Sequence, residues 1–101
     1  MNEVKIIRTL HNQLIIGKVV QDKFTKLDYI VVQEPYNVVP GQDGIELYPM
    51  DKEIVQADIE EIELYKSNLI YSTKPGQDLA NTYLKAISGI ETEPEKTLIL
   101  G

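Results

Sequence analysis

The sequence predicts an all-β fold followed by one C-terminal α-helix. Three observations predict it: apolar residues of one parity in the stretch 4–10, a β-branched run apolar on both parities at 14–20, and apolar positions every four residues at Leu79, Tyr83 and Ile87. With 101 residues the chain has room for one domain, which buries roughly two-thirds of the surface that its unfolded form exposes.

In the first stretch Val4, Ile6 and Leu10 share a parity, the pattern of a strand with one buried face. His11-Asn12-Gln13 ends it in a turn. The run Leu14-Ile15-Ile16-Gly17-Lys18-Val19-Val20 suits a central strand packed on both faces, with Gly17 marking a bend or bulge. After a turn at 22–26, residues 27–33 read as a third strand, with Tyr29 and Val31 on one side and Ile30 and Val32 on the other. Three strands joined by short polar turns make a meander. Pro35, Pro40, Gly41 and Gly44 interrupt the next stretch, as either a strongly twisted strand or an excursion loop does. Ile45-Glu46-Leu47-Tyr48 then alternates again.

The segment 54–70 reads two ways, because Val55, Ile59, Ile62, Lys66 and Leu69 also fall near helical spacing. The alternation Ile62-Glu63-Leu64-Tyr65 and the β-rich Leu69-Ile70-Tyr71-Ser72-Thr73 favour two strands meeting at Lys66-Ser67-Asn68. Lys74-Pro75-Gly76 ends the second. Asp78 is placed to cap a helix at about 78–88, and Gly89 to terminate it. The domain therefore spans 1–89, and the polar stretch 90–101 reads either as a disordered tail or, through its apolar end Thr97-Leu98-Ile99-Leu100, as a segment that docks as a strand.

Composition narrows the function. The chain has no Cys and a single His, which removes disulfides, thiolate chemistry and multi-histidine metal clusters. No apolar run reaches the ~18 residues of a membrane span, and MNEVKII lacks the layout of a signal peptide. A cytoplasmic protein is expected. The net charge of −6 is uneven: residues 1–40 carry five basic and four acidic groups, 41–65 one and eight, and 66–101 four of each. An acidic balance argues against non-specific affinity for phosphate, though not against a local basic site.

His11 has no nucleophile motif around it, so catalysis there is not expected. Asp58, Glu60, Glu61 and Glu63 lack calcium-loop spacing and read as a solvated acidic face. The six tyrosines offer stacking surfaces for bases, but Tyr is also a favoured strand residue, and packing is the preferred reading for most of them. No catalytic residue, metal or cofactor is assigned, and a non-enzymatic chain is expected.

Over roughly residues 3–73 the strand order resembles the Sm-like superfamily of Sm and Lsm proteins and the RNA chaperone Hfq. It looks most like small Sm-like proteins of tailed phages, including those of marine cyanobacteria. Gly17 and Val19 match the first Sm motif, Asp22 stands one residue early for its Asp, and Leu27-Asp28 occupies its Met-Asn position. Leu64-Tyr65-Lys66-Ser67-Asn68-Leu69 resembles the second motif in its Hfq form, with Ser67 in place of His. The family's helix precedes its first strand, whereas here it follows the last.

The resemblance implies a strongly bent five-stranded antiparallel Sm-like (SH3-type) barrel with a C-terminal α-helix. It also implies a homo-oligomeric ring of five to eight subunits, joined through Leu69, Ile70, Tyr71 and Ser72. Single-stranded RNA would bind at the pore through Tyr65, Lys66, Ser67 and Asn68, with Asp28 where the family's Asn reads a base edge. The alternative is a ring or barrel that binds protein, such as a phage accessory factor, and never touches RNA. The acidic segment 41–65 and the missing Asn, Arg-Gly and His favour that alternative.

Overall fold

A computed structural model describes residues 2–20, 28–42, 44–57 and 59–88. The expected turn at 22–26, the motif residue Leu27, the helix stop Gly89 and the tail 90–101 lie outside the described residues. Strands β1 (Asn2–Thr9), β2 (Leu14–Val20), β3 (Tyr29–Gly41) and β4 (Gly44–Pro49) come first, then a single-turn helix α1 (Lys52–Val55). Strand β5 (Glu61–Tyr65), a 3-10 turn (Lys66–Asn68), strand β6 (Leu69–Thr73) and helix α2 (Gln77–Ser88) follow. The fold is mostly antiparallel β-sheet with a C-terminal helix. Among the described residues no helix is long and apolar enough to cross a membrane.

Among the described residues one sheet holds every strand, in the order β4-β3-β2-β1-β6, with β5 also pairing to β3. The first half of β3 pairs with β5 (Tyr29↔Tyr65 to Gln33↔Glu61) and its second half with β4 (Tyr36↔Pro49 to Gly41↔Gly44). Thus β5 and β6 lie four strand spacings apart across the sheet, ~19 Å if it were flat. Only three residues join them, and four Cα steps reach no further than ~15 Å. The sheet therefore curls, although no ladder joins β5 to β6.

This architecture departs from the expected five strands. Instead of ending near Gln33 or looping out, β3 continues through Pro35 to Gly41, and with β4 makes a sixth strand. A bulge allows the passage: Lys18 pairs with Gln33 but Ile16 with Tyr36, so two steps on β2 face three on β3. Glu34 takes a left-handed φ of 50° there. Pro35, which has no N–H to give to a ladder, sits within the bulge and accepts from the Met50 N–H at 3.2 Å. Opposite lies Gly17, where a Cβ would stand 2.3 Å from Val32 Cγ1 and 3.1 Å from the Gln33 carbonyl oxygen.

The two parities of β2 serve two cores. Ile16 packs with Val38, Leu47, Leu79 and Tyr83 beneath α2, while Val19 packs with Ile7 and Val32 inside the curl, with Leu64 and Leu69 against them. The first strand is likewise buried on two faces rather than the one expected, because β1 lies inside the sheet between β2 and β6: Ile6 joins the helix-side cluster and Ile7 is fully buried on the other. Leu10 falls beyond the strand and is exposed. Helix α2 begins one residue before Asp78, which sits in its first turn rather than at the cap. The Ala80 N–H donates to the Gly76 carbonyl at 3.0 Å. Left-handed Asp51 and Gln56 bracket α1, which the sequence did not announce.

Candidate functional site

The segment between β5 and β6 is pinned at both ends by backbone hydrogen bonds. The Lys66 N–H donates to the Asp28 carbonyl at 2.7 Å, and the Leu10 N–H donates to the Asn68 carbonyl at 2.8 Å. These bonds stabilise the turn against the start of β3 on one side and the β1–β2 turn on the other. Tyr65, the last residue of β5, pairs in register with Tyr29, and their rings meet edge to face with centroids 6.4 Å apart, a favoured aromatic geometry.

Asp28, distant in sequence, is thus brought beside the consecutive Tyr65, Lys66 and Ser67, and all four are exposed; Asn68 is half-buried. Tyr65 retains 60% of its surface in solvent, enough to leave it accessible beside Tyr29. Lys66 makes no ion pair among the described residues, with Glu63 or any other carboxylate. The local groups are one ammonium, one carboxylate at Asp28, a hydroxyl, a carboxamide and two phenol rings. Such a set can stack on a base and contact a phosphate. Tyr29 was not among the candidates drawn from sequence, since its role depends on a pairing register that local pattern does not specify.

The proposed subunit edge divides. Among the described residues β6 pairs only with β1, and Ile70, Tyr71 and Ser72 are exposed. Leu69 instead turns partly inward against the Ile7–Val19–Val32 cluster. A register shift between Arg8 and Thr9, which pair with Tyr71 and Leu69, leaves Ile70 as the extra residue of a bulge. The edge of β5 away from β3 is likewise without a partner among the described residues, and alternation puts Glu61, Glu63 and Tyr65 on its exposed face.

His11 lies exposed in the β1–β2 turn. Of the acidic face, Asp58 lies outside the described residues, and Glu60, Glu61 and Glu63 are exposed. Among the described residues no group of three His, Cys, Asp or Glu side chains could hold a metal. A cleft of about 380 Å³ between the end of α2 and the β4–α1 segment is lined by Tyr36, Met50, Ile59, Glu60 and Ile87 among others. A second, of about 510 Å³, surrounds Arg8 near the β1–β2 turn. No family model matches the chain, and no curated protein matches it.

Proposed function

We propose that the chain is an Sm-like subunit that assembles with copies of itself into a ring of five to eight members and binds single-stranded RNA at the pore. The reading rests chiefly on the pinned three-residue turn, which carries the chain from one sheet edge to the other and holds Lys66 in solvent beside Tyr65. In a ring each copy contributes one such turn. Several Lys66 ammonium groups then converge where one subunit offers a single charge, making a cationic site inside an acidic molecule. Tyr65 supplies a stacking face worth about 1–3 kcal/mol per base, and Ser67 and Asn68 supply neutral donors and acceptors. Assembly follows from the edges: β6 of one copy pairs with β5 of the next, and cyclic closure leaves neither exposed. A phage origin and a cytoplasmic setting belong to the same proposal.

Titrating the purified protein with short U-rich and A-rich RNAs at two salt concentrations tests it. Lys66→Ala should weaken binding and flatten its salt dependence without changing the oligomer. An unchanged affinity and salt slope would mean the turn is no RNA site. One observation favours the second reading, a protein-binding scaffold: Asp28 beside the turn and Glu61 and Glu63 on the exposed face of β5 make the surface leading to Lys66 mostly acidic, which phosphate would have to approach. An assembled ring with no RNA binding even at low salt selects that reading.

A further inference from the structure

Arg8 is the single arginine of the chain. Its guanidinium donates to the Asn12 Oδ1 at 2.9 Å and to the Asn12 carbonyl at 3.3 Å, which leaves N–H groups unspent. Among the described residues it forms no ion pair, and the cleft around it presents the amides of Asn12, Gln13 and Asn37 but no carboxylate. On the opposite sheet edge, Glu63 stands exposed at the centre of β5, also without an ion pair among the described residues. Two unspent charges of opposite sign therefore stand at or beside the outer edges of β5 and β6, which lack partners among the described residues.

Resting on the ring reading above, we infer that Arg8 of one copy and Glu63 of the next form a charge pair across the β6–β5 joint, with Tyr71 between them. The geometry follows from register. Strands β5 and β6 have five residues each, so full antiparallel overlap sets their central residues, Glu63 and Tyr71, opposite one another. Tyr71 is itself the register partner of Arg8. Directly opposed residues in antiparallel strands share a face, which puts Arg8, Tyr71 and Glu63 in one row over three strands. The faces agree: Arg8 alternates with buried Ile7 and Thr9, and Glu63 alternates with the inward Ile62 and Leu64. Two strand spacings separate the outer Cα atoms by ~10 Å, a span that extended Arg and Glu side chains cover together, with the Tyr71 ring offering its face to the guanidinium. Strand β6 has no charged side chain of its own, so Arg8 supplies the complement to β5 from one strand behind the edge.

The charge-swap cycle tests the pair. Arg8→Glu and Glu63→Arg are each expected to weaken self-association on the order of tenfold or more, as like charges are brought together, and the double swap to restore it toward the native level. Sedimentation velocity across a concentration series reads the association, and Arg8→Gln and Glu63→Gln guard against a folding defect from reversal. The neutral variants should assemble with less salt sensitivity than the native chain. If the native chain assembles but the neutral variants match it at every salt concentration, or the double swap recovers nothing, the pair is overturned while the ring stands. If the native chain is a monomer, the ring reading fails and the pair with it.

Discussion

At the scale of single residues, the β3 bulge depends on a side chain that is absent and on one that is present. Gly17 lets β3 approach where any Cβ would strike Val32, itself fully buried and unable to swing away. Gly17→Ala should cost about 1–3 kcal/mol through overpacking, measured by chemical denaturation. Adding Val32→Ala to Gly17→Ala should cost less than the sum of the two single changes, because the removed methyls vacate the contested space. Tyr83 serves the bulge from the other face, donating its hydroxyl hydrogen bond to the Glu34 carbonyl at 2.8 Å, with the Gln33 carbonyl 3.3 Å away. Burial first, then the nearby Glu34 and Tyr36, raise its pKa above the ordinary 10.0. The native state thus holds this proton more tightly than the unfolded chain. The resulting stability is complete below pH 10 and is lost as pH rises beyond it. Tyr83→Phe should cost about 0.5–1.5 kcal/mol at neutral pH and show a shallower alkaline loss than the native protein. Equal alkaline slopes would remove Tyr83 as the responsible group.

Elements were legible where their signal is local. The both-parity run of β2 marked a strand covered on two faces, and the spacing of Leu79, Tyr83 and Ile87 marked the face by which α2 packs on Ile16, Val38 and Leu47. Leu79→Ala should therefore lower the unfolding free energy by about 2–3 kcal/mol. A loss under 1 kcal/mol in denaturant melts would mean that α2 is not part of the cooperative core. Asp78, lying in the first turn, faces the positive end of the helix dipole instead of capping it. Asp78→Ala should cost only about 0.3–1 kcal/mol, less in high salt. Local pattern failed where pairing decides. Pro35 reads as a break, yet β3 passes it because the bulge places it opposite Gly17, a relation between residues eighteen positions apart in the chain. The Tyr29–Tyr65 contact likewise depends on β3–β5 register, and the inward turn of Leu69 on the curl of the sheet. The turn at Lys66-Ser67-Asn68 was legible because the alternation of 62–65 stops before it and a β-rich run begins after it.

At the scale of the whole molecule, the proposed ring lets a curled sheet, whose β5 and β6 edges lack partners among the described residues, complete itself by joining copies. Each edge alone is a site for uncontrolled pairing, and cyclic closure satisfies all of them with one repeated interface. In the proposed ring the exposed Ile70 and Tyr71 would become contact surface, and the Lys66 turns would gather around one axis. Ile70→Lys should weaken the assembly if its side chain meets the neighbouring strand. The most direct measurement is the mass of the native protein in solution, by multi-angle light scattering at micromolar concentration. The ring predicts a single species of five to eight times the 11.5 kDa chain, unchanged on dilution over that range; a species of one chain mass contradicts it.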